Sequence, residues 1–372
     1  MTRVGIDYLP ATTHFPGVGR YARELVRALV HLDRAAAGDL ELRLFEVGGA
    51  VRSVPAAALG LEDASLPAAR RRLRVPRRIA EPFLRAVGAD RWAGGVDLFH
   101  RMHAGTPHLA RARSILAISD LPKDGDPNFG ARAAALQAED FLLAFSDEAR
   151  SSLIERFGIP ADRIHRVPVG ADHWMRDLAA RGTAPPVRAD PPLVLVLGAL
   201  RLERHHDDIV DAFDRLVASG QRARLVLAGA DGDGGQHVRR RLAFSSARQH
   251  VEWKPFASEA DVAELVARAS VLVHLAETEA TAVTPLEALS AGTPVLVSDL
   301  PAFREALGDL ARYVPTPLSL RHRKALPDDL AASIADSRDV ATEARRRALG
   351  ARYTWAASAA AHAAIYHTLA AR

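Results

Sequence analysis

The stretch EATAVTPLEALSAGTPVLVSD, residues 279–299, decides how the rest of the chain is read. Its second glutamate, Glu287, opens an apolar helical run. Gly292-Thr293-Pro294 ends that run, and the Val-rich segment after it starts a strand. The segment also carries two carboxylates, Glu279 and Glu287, with seven residues between them. Glu279 is expected in a loop and Glu287 in the first turn of the helix, where the helix dipole favours an anion. An ionised carboxylate offers only acceptors, which suits the hydroxyls of a sugar. Taken alone, the pair is a surface loop carboxylate beside a helix N-terminal one.

Outward from this segment, strand-like and helix-like stretches alternate along the whole chain, the pattern of α/β layers on a parallel sheet. Val4-Gly5-Ile6-Asp7 reads as a first strand, followed by a loop with Pro10, Gly17 and Gly19 and a helix over about 20–32. Short strands are expected at 96–100, 114–119 and 142–145. Leu193-Val194-Leu195-Val196-Leu197 restarts the pattern, with strands at 224–228, 271–275 and 294–297. The chain has 372 residues, enough for two domains. The expected division is a first domain over 1–178, a linker over 179–192 rich in Ala, Arg, Gly and Pro, a second domain over 193–352, and a C-terminal helix over 353–372. Ligands of such folds bind outside the carboxyl ends of the strands.

Composition narrows the chemistry. With no cysteine, thiolate catalysis, disulfides and cysteine metal sites are excluded. No apolar run is long enough to span a membrane and the start does not read as a signal peptide, so a cytoplasmic protein is expected. The net charge is only +4. Nucleic acid is not an expected partner, because no aromatic stacking pattern accompanies the basic residues.

The glutamate segment resembles the signature of the retaining glycosyltransferases of family 4, the glycosyl transferases group 1, and the resemblance runs the full length. It implies the GT-B fold: two Rossmann-like domains facing each other across a central cleft, with the last helix crossing back to the first domain. It implies transfer of a sugar from a GDP- or UDP-sugar to a glycan, lipid-linked or small-molecule acceptor, with retention and without a metal. By this resemblance Glu279 holds the donor sugar and Glu287 the ribose. Arg204, helped by Arg201, faces the diphosphate. Gly17-Val18-Gly19 resembles the family's N-terminal glycine loop, Gly198 lies in the first turn of the second domain, and Lys254 and Phe256 resemble the base-contacting turn. The amides of Ala282 and Val283 approach phosphate or sugar, and His103, Ser119 and Asp120 line the acceptor side. The catalytic set is then Glu279, Asp120 and Arg204.

The chain departs from that pattern in three places. Ala199 stands where the family has arginine, Ser119 where it often has histidine, and Ala280-Thr281-Ala282 where it often has Gly-Phe-Gly. These departures keep two alternatives open: a non-catalytic homologue that binds a nucleotide-sugar or a partner enzyme, and a GT-B sugar epimerase. Other motifs have plainer readings. Asp231-Gly232-Asp233 and His205-His206-Asp207-Asp208 sit where turn and cap residues belong, Asp207 as a helix cap and Asp120 as a cap of the turn after it. His100 is as readily a hydrogen-bonded core histidine as an acceptor contact. The segment 70–85 holds seven arginines among apolar residues, with Pro76 and Pro82 expected to break any long helix. It is either a solvated basic face or a peripheral contact with an anionic membrane or acceptor.

Overall fold

The computed structural model describes residues 1–13, 17–32, 38–48, 68–123, 125–182 and 187–371. They form two compact units, Met1–Gly170 with Trp355–Arg372, and Ala171–Thr354.

The first unit is a seven-stranded parallel sheet. Its strands are β1 (Thr2–Asp7), β2 (Leu40–Val47), β3 (Ala68–Leu73), β4 (Leu98–Arg101), β5 (Arg113–Ala117), β6 (Phe141–Ala144) and β7 (Ile164–Arg166), in the order β3-β2-β1-β4-β5-β6-β7. The second is a six-stranded parallel sheet of β8 (Leu193–Leu197), β9 (Arg224–Ala228), β10 (Val251–Lys254), β11 (Val271–His274), β12 (Val295–Ser298) and β13 (Ala311–Val314), ordered β10-β9-β8-β11-β12-β13. In each sheet the first strand lies inside and the order reverses beside it, the doubly wound Rossmann arrangement. The central strands are apolar without alternation because helices cover both faces. All four residues of β11 and of β12 are buried.

Two expected boundaries move. The first unit ends at Gly170, not 178, because the helix His173–Ala180 belongs to the second unit, where the indole of Trp174 donates to Glu259 at 2.8 Å. The expected linker is partly structural: Arg188 donates to the carbonyls of Ala267 and Ala269 and the Thr293 hydroxyl, and the Ala189 amide donates to Arg268.

The last helix, Trp355–Ala370, is part of the first unit. Gly170 is required there: a Cβ would lie 2.3 Å from the Trp355 ring. Tyr21, His100, His362 and Tyr366 link this helix to the helix Val18–Val30 and to β4. The Tyr21 hydroxyl is 2.9 Å from His362 Nε2, and His100 Nδ1 is 2.6 Å from the Tyr366 hydroxyl. Burial holds both imidazoles neutral, His362 down to about 4. His100 is therefore a core residue.

Candidate functional site

Strand order alone says where a ligand belongs in the second unit. β8 and β11 are neighbours across the reversal, so the loops leaving their carboxyl ends lie side by side. The loop after β8 turns at Gly198, whose φ of 120° favours glycine. The loop after β9 lies directly against it: a Cβ on Gly229 would fall 1.8 Å from the Gly198 carbonyl oxygen. Amides of Leu200 and Gly234 donate across to Ala230 and Leu200. Asp231 and Asp233 serve this contact, Asp231 pairing with Arg239 at 2.6 Å and Asp233 accepting from the Leu202 amide at 3.1 Å.

Arg204 ends the short turn Leu202–Arg204 and reaches the loop after β11. Its guanidinium pairs with Glu279 and donates to His274 Nε2 at 2.5 Å, while His274 Nε2 lies 3.3 Å from Glu279 Oε1. The Glu277 amide donates to the Glu203 carbonyl and ties the two loops together. Burial pushes the Glu279 carboxyl up, but the contacts with His274 and Arg204 outweigh it and leave it below its ordinary value, hence ionised. His274 moves down through burial and the Arg204 charge, hence neutral. The result is a fixed cation and a fixed anion, each partly open to solvent, over a neutral imidazole.

Glu287 differs from expectation. The helix begins at Val283, so Glu287 is its fifth residue and lies beyond the first turn. The helix dipole is therefore not what holds it. It is fully buried, 3.5 Å from His173 Nε2. Ala282 heads the helix with no side-chain cap, which leaves the first amides, Val283 among them, for another acceptor. His274 and His173 were missed from the sequence. The one signal for His274 is a polar residue closing the apolar strand Val271-Leu272-Val273.

The other expected residues are more scattered. Arg201 pairs with Glu203 at 3.0 Å and is about half exposed. Lys254 pairs with Glu252 at 2.7 Å, and Phe256 is 91% exposed. Lys254 ends the edge strand β10 and Phe256 follows it, two strand spacings or about 10 Å from β8. The helix expected to be capped by Asp207 is headed by His205, in the left-handed region at φ 52°. In the first unit, Gly17 with φ 62° heads the helix Val18–Val30, and Gly19 is buried in its first turn. His103 and Ser119-Asp120 follow β4 and β5 and are exposed. Asp120 caps no helix; it pairs with Arg132 at 3.0 Å.

Residues 184–323 match the family model of the glycosyl transferases group 1. That match and the fold together make the chain similar to the group 1 glycosyl transferases. Among curated relatives, the chain is 29% identical over 299 residues to a D-inositol 3-phosphate glycosyltransferase of Xylanimonas cellulosilytica, covering 75% of this chain and 68% of the relative. Among solved structures it resembles a sucrose-phosphate synthase of Thermosynechococcus elongatus, with TM-score 0.72, 17% identity and all of both chains covered. It also resembles the Anabaena protein HepE solved with UDP-glucose, with TM-score 0.67, 14% identity and all of both chains covered. The two Rossmann-like units are those of GT-B glycosyltransferases.

Proposed function

We propose that this glycosyltransferase moves a hexose from a GDP- or UDP-sugar to a hydroxyl-bearing acceptor with retention of configuration. The observation that carries the reading is the meeting of Arg204, Glu279 and His274 at the carboxyl ends of β8 and β11. A nucleoside diphosphate leaves with growing negative charge, and a fixed guanidinium stabilises it. On donor binding Arg204 moves from Glu279 to the diphosphate, and the freed carboxylate accepts from the sugar hydroxyls. Arg201, Gly198, Ala282, Val283 and the Gly17–Gly19 turn complete the donor side, with Glu287 for the ribose and Lys254 and Phe256 for the base. His103, Ser119 and Asp120 take the acceptor. The bond from the anomeric carbon to the phosphate oxygen breaks, and a bond to the acceptor oxygen forms on the same face. The acceptor proton passes to the departing phosphate oxygen, so neither a protein nucleophile nor a metal is needed in this reading.

The test is an assay of the purified chain with a panel of GDP- and UDP-sugars, reading the anomeric configuration of the product. The reading expects transfer with retention and its loss in Glu279→Gln. An inverted product, or donor binding without turnover on any acceptor, would overturn it; the latter fits a non-catalytic homologue, the reading that Ala199 and Ser119 favour.

A lipid-linked acceptor is the narrower form of this proposal. The helix Arg77–Val87 continues through Pro82 and exposes Ile79 (62%) and Phe83 (46%) beside Arg78 and Arg85. Arg70 and Arg72 do not join that face, because both turn to the buried Glu46, at 2.7 and 3.4 Å. Exposed apolar residues framed by arginines suit an anionic bilayer surface. Co-sedimentation with anionic but not zwitterionic vesicles, lost in Phe83→Asp, is the expected result.

A further inference from the structure

At the amino ends of β12 and β13, the opposite end of the second sheet from Arg204 and Glu279, lies a cavity of 360 Å³. Pro294 and Arg312 line it from the strand starts, Asp336 from the end of the helix Leu320–Asp336, and Thr342, Arg345 and Arg346 from the helix Val340–Gly350. The volume is at the low end of small-molecule pockets, which run from roughly 300 to 1,000 Å³.

Arg346 makes this cavity unusual. It is only 3% exposed, yet its guanidinium makes a single hydrogen bond, from Nη1 to the Asp336 carbonyl at 3.2 Å, and no ion pair among the described residues. A guanidinium carries five N–H donors and stays charged in proteins, so burial without an anion is unfavourable. Its Nε is enclosed and unbonded. Its Nη2 is neither bonded nor enclosed, which leaves it facing the cavity.

The carboxylates of Asp336, Asp339 and Glu343 act on Arg346 through space, but none of them pairs with it directly. Asp336 pairs with Arg312 at 3.1 Å and Asp309 with Arg345 at 2.6 Å. The carboxylate of Asp339 is taken by the Ala341 amide at 3.0 Å and by the Thr342 hydroxyl. Arg346 is thus the cation without a directly paired anion, in a lining that also holds Arg312 and Arg345 and the carboxylates of Asp309, Asp336 and Asp339.

We propose that this cavity binds the phosphate group of a small phosphate monoester, with Arg346 as its buried anchor. The planar fork of arginine matches phosphate oxygens, and the space beyond the guanidinium accommodates a compact polar body. The site lies away from the chemistry and does not depend on the donor reading.

Calorimetric titration of the full chain with inorganic phosphate and with glucose 6-phosphate tests it. The wild type and Arg204→Met should bind at one site, and Arg346→Met should not. Thr342→Glu places a carboxylate at the cavity wall, within the first turn of a helix where an anion is favoured. It should abolish binding while keeping or raising the melting temperature, which separates loss of the site from loss of the fold. Binding lost in Arg204→Met and kept in Arg346→Met would assign the phosphate to the donor loops and overturn the proposal. So would no heat with either probe at millimolar concentration.

Discussion

In the first unit, the strands flanking the order reversal, β1 and β4, lead to Gly17 and to the exposed His103; in the second, β8 and β11 lead to Arg204 and to Glu279 with His274 beneath. The topology is shared and the chemistry is not. The first unit keeps its buried polar groups inside, where Tyr21, His100, His362 and Tyr366 fasten the last helix, and presents separate, exposed side chains at its edge. The second brings its buried polar groups to the edge itself. In the proposed function the second edge would hold the leaving diphosphate and the first the acceptor.

The largest effect expected from breaking this contrast is at Glu279. Glu279→Ala should lower kcat by about 100-fold or more, the usual range for removing one fixed polar group from a reaction centre. Initial rates with saturating donor measure it. A full rate in a folded variant would place the chemistry elsewhere.

Next in size is an acid effect that tests whether the two interiors are alike. His362 in the first unit and His206 in the second are both held down to about 4 by burial. A histidine with its folded value below its unfolded value of about 6.5 takes up protons on unfolding, so stability falls as pH drops from about 6.5 toward 4. Each shift corresponds to roughly 3 kcal/mol at the acid end. Urea denaturation at a series of pH values should show both units weakening over one window, and His362→Gln should flatten the slope. A slope unchanged in that variant would show that His362 is not the group that titrates.

How much of this was legible beforehand follows from the physics of each feature. Leu193–Leu197, Val271–Leu275 and the Gly292-Thr293-Pro294 turn announced the second sheet, because continuous apolar runs with Gly/Pro punctuation are local signals. Glu279 and Arg204 were found through a resemblance; their pairing was not, since residues 75 apart meet only through strand order. The start of the helix at Val283 was missed because Ala282 is no usual cap, and Pro285, its third residue, is tolerated in a first turn. Pro82 misled for the opposite reason: it lies within a helix that packing sustains through Ala80 and Leu84. Arg346 gave no signal, because a buried arginine and a solvated one look alike in an Ala- and Arg-rich run.

A smaller effect sharpens the donor side. Ala199 stands where the family has arginine, beside the turn at Gly198, and is half-buried. Ala199→Arg should add a second cation at the loop and raise kcat/KM for the donor several-fold, since a cation beside a leaving group of growing negative charge favours the transition state as well as donor binding. A rise in KM would show that the loop has no room for the side chain.

The smallest effect is expected at Asp120, and it bears directly on the difference between the two edges. Its partner Arg132 is 43% exposed and Asp120 is 60% exposed, against 24% and 15% for Arg204 and Glu279. Solvent screens the first pair far more than the second, so Arg132→Ala, which also removes the pair with Asp126 at 2.7 Å, should lower the melting temperature only slightly. It also frees the Asp120 carboxylate from its ion pair. If Asp120 receives an acceptor hydroxyl, the acceptor KM changes while the donor KM stays fixed. If neither constant moves, the exposed edge of the first unit is only a solvated rim at Asp120.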